Sequence, residues 1–511
     1  MNWHNITNII KRHWLLIFIL AISTFTRFYR LPATVTFLED EGRDVLIEHR
    51  ILTGNAVALG PQTSTGNMYL GPFYYYFTAP ALFIASGDPM GPIVLIALTG
   101  VVTTYLFYSF VSGWFSHRVG IISAILYAVL PAAVYMSRNS WNPNLVPLIT
   151  LLFIKVMEML VSKKELKYFL LLGLLGGVLV QLHYMVLLLL GISALYLIWF
   201  FRKNIIFFAK GAVLTVVGFL LPLTPFILFE FKNDFVNTQA LVKFVLAKEE
   251  HNIRYSLPLR MYQDKVVEAG GRLLSSLYGA GQVTKIDPLT PYAFWGFISM
   301  CILALRKSSS IYKLLFTLTF GSLIMLGIYQ ENIHLHYLGF LFPLVIILSA
   351  SIVTDKRLWL RLAASLYLVI FTLYGSYTTY RYIISGPSSQ LTRAREVASY
   401  IVKSAGDRSY NAVTFRDTST TSPFAYFLEI SGRPPSNKLE STLFLICVDR
   451  PCDQSDLDFD WIFRKGPSHP SLGQYLGHPF IDDFSQDLQF SSMEHISHGV
   501  WVGETSVKLS L

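Results

Sequence analysis

The chain has 511 residues, of which 53% are hydrophobic, 15% aromatic and only 14% charged; a water-soluble fold would leave more apolar surface than it could cover, so the composition indicates a membrane protein. A formal net charge of +9 does not point to nucleic acid, because the Lys and Arg residues sit in short clusters between apolar runs rather than along one polar face. Three cysteines exclude a disulfide scaffold, and zinc-type CxxC spacing is absent.

The N-terminus carries Lys11, Arg12 and His13 before an apolar stretch from Trp14 to Phe25. No A-x-A-like cleavage site follows, so the stretch is read as a retained first span rather than a signal peptide. A membrane helix needs about 20 mainly apolar residues. That criterion predicts about eleven spans, near 13–30, 91–113, 119–136, 144–161, 167–183, 185–201, 205–229, 291–305, 311–329, 337–353 and 358–382. The stretch from Phe73 to Ser86 is apolar but short, is interrupted by Pro80 and opens with Tyr74, Tyr75 and Tyr76, so it is read as an interfacial or re-entrant helix.

Cytoplasmic loops are enriched in Lys and Arg. Alternate connections hold Lys11 and Arg12; Arg118; Lys163, Lys164 and Lys167; Arg202 and Lys203; Arg306 and Lys307; and Lys356 and Arg357. The expectation is a multi-pass protein of the cell membrane with a cytoplasmic N-terminus. Arg27 and Arg30, at the opposite end of the first span, are exceptions to the pattern. An odd number of spans sends the tail outside. The predicted organisation is a transmembrane domain, 1–384, with outer loops 31–90 and 230–290, followed by an extracytoplasmic domain, 385–511. That tail contains the turn signals GRPPS and GPSHPS, the β-like run STLFLICV and the helix-like LTRAREVASYIV, so it reads as a small α+β domain. Cys301 lies in an apolar run as a small hydrophobe; Cys447 and Cys452 have the spacing of a local disulfide if the tail is exported, with two free thiols as the other reading.

On this topology the polar clusters gather at the outer face: F-L-E-D-E-G-R-D (37–44), S-R-N-S-W-N-P-N (137–144), Q-L-H-Y (181–184) and Q-E-N-I-H-L-H-Y (330–337). Ionisable groups near membrane depth are costly to desolvate and mark candidate sites. Glu39, Asp40 and Glu41 cannot all face one point on a regular segment. Either one or two of them face a cavity, where a carboxylate serves as general base or cation ligand, or they form a solvated turn capping the helix from Gly42 onward. Arg138 suits a bidentate phosphate contact; the alternative is an interfacial arginine anchored beside Trp141. His183 is a lone histidine at a span end. Glu331, His334 and His336 form a denser group suited to phosphate or metal, without the i, i+4 spacing of a helical zinc site.

The order of these features is more specific than any one of them. R-x-x-R-L-P, L-E-D-E-G-R-D, G-P-F-Y-Y-Y, S-R-N-S-W-N-P-N and, much later, H-x-H-Y with Pro343 beyond it resemble the bacterial and archaeal family 39 glycosyltransferases. These are relatives of the protein O-mannosyltransferases and the lipid A aminoarabinose transferases in the C-type membrane glycosyltransferase superfamily. The resemblance covers about residues 25–350. It implies an all-α polytopic fold and transfer of a sugar, with inversion at the anomeric carbon, from a polyprenyl-phosphate-linked donor to an extracytoplasmic lipid, glycan or protein. Asp40 and Glu41 match the acidic motif of the first outer loop and are the expected catalytic residues, and Arg43 matches the basic residue that follows it. Arg27 and Arg30 fall where relatives have a basic residue before that loop. Tyr75, Arg138, Asn142, Asn144, His183, Glu331, His334, His336 and Tyr337 are the expected substrate-binding residues. Many relatives have an Asp after the residue matching Arg138, where this chain offers Asn142 and Asn144, so a divalent metal, with Asp40 as its ligand, is an open expectation. The expected partners are the bilayer, the lipid-linked sugar and the acceptor, with no nucleic acid. The competing reading is a transporter or flippase of lipid-linked sugars, although transporters place polar groups near the midplane rather than at one face.

Overall fold

The computed structural model describes residues 3–63, 68–246, 259–278, 290–305, 309–329, 332–415, 421–438, 440–452, 459–462, 493–497 and 499–506. Arg306, Lys307, Glu331, the GPSHPS turn and parts of the 230–290 loop therefore lie outside the described residues. The chain is mostly helical, with one small sheet near its C-terminus. It divides into two compact units: Met1–Arg30, Ala58–Tyr74 and Val94–Ser385 form the first, and Leu31–Val57, Tyr75–Ile93 and Gly386–Leu511 form the second. The second unit thus gathers the tail with two segments that the sequence assigned to an outer loop.

In the first unit each of the eleven expected stretches coincides with a helix or a broken pair of helices. Among the described residues only three, Met90–Trp114, Asn142–Lys163 and Leu358–Ile383, are long and apolar enough to cross a membrane, or four if the pair Ile205–Leu220 and Thr224–Lys232, bent by 74°, is one span. The other apolar helices run 10–17 residues, and at 1.5 Å per residue these lengths fall short of a 30 Å hydrocarbon core. Proline accounts for two of the breaks. Pro131 starts a new helix one residue after His117–Val129 ends, and Pro222 lies in the bend before Thr224. Leu358–Ile383 presents Leu362, Leu366, Val369, Ile370 and Leu373, each more than half exposed, a continuous apolar face that is stable against lipid and not against water. The helices Lys167–Leu182 and Ile205–Leu220 approach so closely that a Cβ on Gly173 would sit 2.1 Å from the Thr215 carbonyl oxygen, and one on Gly218 would sit 2.3 Å from that of Leu170. Small residues allow such approach where apolar attraction between helices is weak.

Breaking a helix frees carbonyls, and in a membrane these need partners. Arg27, fully buried, reaches from the first helix, Trp3–Phe28, to the end of His117–Val129: its Nη2 donates to the Tyr127 carbonyl at 2.9 Å and its Nη1 to that of Ala128 at 3.1 Å. The Thr26 hydroxyl also donates to Ala128, at 3.0 Å, and Thr379 donates to Val129 at 2.7 Å. Arg30 Nη1 donates to the Ile384 carbonyl at 3.0 Å, just beyond Leu358–Ile383. Both arginines that broke the loop-charge pattern are thus helix C-terminal caps, placed where a positive charge also opposes the helix dipole.

The second unit contains a five-stranded sheet of order β3-β1-β2-β5-β4, with β1 at Asn411–Phe415, β2 at Thr442–Val448, β3 at Phe459–Ile462, β4 at Glu494–Ser497 and β5 at Val500–Ser506. β1 and β2 are parallel and the other pairs antiparallel. Every residue of β2 is buried, which is why its sequence, TLFLICV, runs apolar without alternation. Helix Gln390–Ala405 covers the stretch read as helical, and helix Thr421–Ile430 links β1 to β2. Cys447 and Cys452 form a disulfide with a Cα–Cα separation of 5.5 Å, and Cys301 is free and buried.

Replacing Arg27 by Met leaves the Tyr127 carbonyl without its guanidinium and weakens the cap on Ala128, which should lower stability by about 1.5–3 kcal/mol for hydrogen bonds to a charged donor. Arg27→Lys should recover only part of this, because an ammonium lacks the planar fork. Thermal unfolding of detergent-solubilised protein checks the order; identical midpoints for the three proteins would refute the capping role.

Candidate active site

In the second unit the acidic motif forms helix Glu39–Leu52, which we call the acidic helix. Its three consecutive carboxylates diverge, as helical geometry requires. Glu39 leaves the helix face to bind Ser422 at the start of Thr421–Ile430, accepting from its backbone N–H at 2.8 Å and from its hydroxyl. Glu41 turns back on its own helix and accepts from the Leu38 N–H at 3.0 Å, satisfying a free donor at the helix start. Asp40 keeps the outward position: its side chain is 45% exposed and accepts from Arg43 Nη1 at 2.7 Å. Arg43 forks, with Nε and Nη2 donating to Asp44 Oδ1 at 3.0 and 2.7 Å.

Asp40, Asp44 and Glu48 recur every four residues and share one face of the acidic helix. The sequence reading named the first of these and passed over the other two, although the i, i+4 spacing was visible. Asp44 and Glu48 are buried. Thr78, from helix Phe73–Ile84, donates to Glu48 Oε1 at 2.5 Å. Tyr75 of that helix is fully buried, and its hydroxyl, Asp44 Oδ2 and Glu48 Oε2 have no hydrogen bond among the described residues. Burial pushes the Asp44 carboxyl up to about 6 against the pull of Arg43, and raises Glu48 well above the usual carboxylate range. Glu48 therefore lies behind an Asp40–Arg43–Asp44 cluster, with hydrogen-bonding capacity left unused.

The acidic helix is held by Thr421–Ile430. Arg50 donates from Nε and Nη2 to the two carboxylate oxygens of Glu429 at 3.2 and 2.8 Å. The rings of Phe37 and His49 lie 6.0 and 6.3 Å from those of Phe427 and Tyr426. A Cβ on Gly42 would fall 2.4 Å from the Pro423 nitrogen, so only glycine permits this approach.

In the first unit a different group assembles. Arg138 is buried, with Nη1 donating to the Thr26 carbonyl at 2.8 Å and Nη2 to that of Tyr29 at 3.0 Å; it caps the first helix as Arg27 caps His117–Val129. Asn142 donates to the Leu182 carbonyl at 2.7 Å, and Asn144 to that of Asn139 at 2.7 Å. His183 and His336 meet with ring centroids 5.4 Å apart. Tyr337 lies 5.0 Å from His183, Trp141 lies 4.5 Å from His336, and His334 stacks on His336 at 5.7 Å. Burial together with the neighbouring His183 and His334 rings lowers His336 well below the usual histidine range. His183 Nδ1 accepts from the Met185 N–H at 3.1 Å. Tyr74 is fully buried and pairs with Ser140 at 2.8 Å; of the three consecutive tyrosines only Tyr76 is exposed. Gln181, the first residue of the Q-L-H-Y cluster, accepts from the Phe73 N–H at 3.2 Å and donates to the Gly177 and Pro222 carbonyls at 3.0 Å each.

The metal expectation finds no donor set: among the described residues no three His, Cys, Asp or Glu side chains are grouped to hold an ion, and the Asp40 Oδ1 is already bound by Arg43. No chemical step below uses a metal.

With this architecture in place, the comparisons define its class. Residues 70–229, less than half of the chain, match the model of a family described as dolichyl-phosphate-mannose-protein mannosyltransferase. No curated protein sequence matches significantly. The crystal structure of ArnT from Cupriavidus metallidurans bound to undecaprenyl phosphate is similar with a TM-score of 0.59 and 11% identity, over 97% of this chain and 99% of that one. The apo state of the same protein gives 0.55 and 13%, over 86% and 93%. The Archaeoglobus fulgidus oligosaccharyltransferase in complex with zinc and sulfate gives 0.51 and 12%, over 85% and 68%. Identities this low establish the fold alone, which this chain shares with these structures. The sequence resemblance is found again in both the family match and the fold.

The buried Glu41 supplies a pH test. Burial pushes its carboxyl from 4.5 up to about 7, against the stabilising Leu38 N–H. The folded state then binds this proton more tightly than the unfolded chain, so Glu41's contribution to stability is full below pH 4.5 and declines until about pH 7. Glu41→Gln keeps an oxygen for Leu38 and removes the titration. Relative to wild type, the variant should gain of order 3 kcal/mol between these limits, by 1.36 kcal/mol per unit. Unfolding measured across that range should show the gap widening; parallel pH profiles would reject it.

Proposed function

We propose that the protein is a membrane glycosyltransferase that moves a sugar from a polyprenyl-phosphate donor to an acceptor on the extracytoplasmic side, with inversion at the anomeric carbon. One observation carries the catalytic assignment: of the three adjacent acids, Glu39 and Glu41 are spent on helix ends while Asp40 faces outward, exposed and paired with Arg43. Asp40 acts as general base. It takes the acceptor hydroxyl proton as that oxygen bonds to the anomeric carbon, and the bond from that carbon to the phosphate oxygen breaks, leaving the electron pair on the polyprenyl phosphate. Arg43 and Asp44 fix the Asp40 rotamer. His183, His334, His336 and Tyr337 offer N–H and O–H donors, with Trp141 as an apolar wall, and we assign them to the lipid-linked donor; Arg138 and Asn142 hold the backbone around them. The family description and the lipid bound in the ArnT crystal structure support a polyprenyl-phosphate substrate. The transporter reading has no counterpart in these matches.

We also propose eleven crossings, with the shorter and broken helices completing their spans through irregular segments, a cytoplasmic N-terminus and an exported tail. The Cys447–Cys452 disulfide supports export, because such bonds persist in oxidising compartments.

Purified protein should release polyprenyl phosphate from a polyprenyl-phosphate sugar and leave soluble nucleotide sugars untouched; efficient turnover of a nucleotide sugar would overturn the donor assignment. Asp40→Asn keeps the side-chain size and removes the basicity, and should lower kcat roughly 10²- to 10⁴-fold in folded protein, with Glu41→Gln affected less. Near-normal activity of folded Asp40→Asn would reject the base. Cysteines placed at Ser404 and Ser441 should react with an impermeant reagent in intact cells; reaction only after lysis would reverse the orientation.

A further inference from the structure

The first unit holds a cavity of about 1130 Å³ that none of the candidate-site residues lines. Four cations surround it. Lys164 follows helix Val146–Lys163, Arg202 and Lys203 follow helix Val186–Phe201, and Lys313 lies in the first turn of Ser310–Leu326. Its lining contains no Asp or Glu, and none of the four cations makes an ion pair among the described residues. Lys164, Lys203 and Lys313 are exposed. Arg202 donates to the Trp199 carbonyl at 2.7 Å and lies 4.8 Å over the Trp199 ring, which orients its guanidinium without neutralising it. The opposite character marks the wall, where Leu195 is 62% exposed and Trp199 59% exposed, with Phe316 beside them.

Like charges gathered without a counter-ion repel one another, and bare tryptophan and leucine beside them are poorly served by water. One kind of molecule answers both demands, carrying a phosphate head and a hydrocarbon chain. A soluble anion would neutralise the cations and leave the wall bare, and a zwitterionic lipid would cover the wall and bring a positive group to the cations. We propose that this cavity binds an anionic phospholipid, with its phosphodiester among Lys164, Arg202, Lys203 and Lys313 and an acyl chain along Leu195, Trp199 and Phe316. Basic recesses between membrane helices recognise anionic head groups in this way. The inference stands apart from the transferase reading, since it uses none of the residues assigned to donor or base.

The test uses the full-length protein reconstituted in bilayers of phosphatidylglycerol and phosphatidylcholine, extracted in mild detergent and weighed by native mass spectrometry. Wild type should retain one phosphatidylglycerol with at least roughly tenfold preference over phosphatidylcholine, the ratio that about 1.4 kcal/mol provides. Lys203→Gln/Lys313→Gln should abolish the preference. Thr317→Trp, which fills the wall and leaves every charge in place, should expel the lipid, while Arg361→Gln, an exposed cation on Leu358–Ile383 outside the cavity, should change nothing. Equal retention of both lipids, equal loss in Arg361→Gln, a bound lipid unaffected by Thr317→Trp, or displacement of phosphatidylglycerol by inorganic phosphate would each overturn the proposal.

Discussion

A helix that stops inside a membrane leaves carbonyls that water cannot reach, and in the first unit arginine resolves this at three helix ends. Arg27 serves the end of His117–Val129, Arg30 serves the residue after Leu358–Ile383, and Arg138 serves the end of the first helix. Arg27 and Arg138 act reciprocally: the first helix sends an arginine to the break at Pro131, and the segment after that break sends one back. The guanidinium groups of Arg27 and Arg138 are fully buried, which is expensive unless their donors are engaged. Carbonyl clusters at helix C-termini engage them without introducing a carboxylate, and the dipole adds to the attraction. Removing any one member exposes both a buried charge or carbonyl and a helix end, so the three-way packing of the first helix, the broken helix and Leu358–Ile383 rests on this exchange.

The second unit answers a different constraint. A helix beginning Glu-Asp-Glu concentrates like charge at one end, and each carboxylate needs a separate destination. Helix Thr421–Ile430 supplies one through Ser422, the acidic helix supplies another through its own first N–H, and Arg43 takes the third. The C-terminal segment is therefore part of what orients the acidic motif, through Glu39–Ser422, Arg50–Glu429 and the bare backbone of Gly42 against Pro423.

Hydropathy alone located the helices, since apolar runs of this length have no other stable form in lipid, and it found β2 and the helix Gln390–Ala405 in the tail. It overestimated uninterrupted spans because a window of 20 residues averages across Pro131 and Pro222. Charge statistics correctly flagged Arg27 and Arg30 as exceptions, yet the reason lay in carbonyls 100 and 354 residues away, beyond any local pattern. The acidic motif was legible as a cluster, and the choice among its three carboxylates was not, because the partners of Glu39 come from residue 422. Asp44 and Glu48 could have been found from helical spacing. The His183–His336 contact joins two loops whose sequences carry no mark of one another.

Burial gives the ionisable residues of the acidic helix graded roles. Glu48, deepest and joined to Thr78, has its carboxyl raised well above the usual range; Asp44 is raised toward 6 but keeps a guanidinium; Asp40 is at the surface end of the same row. Three carboxylates at one-turn intervals share a single arginine, and Arg43 sits between the two nearest the surface, bridging Asp44 and Asp40, the geometry a positioned base requires.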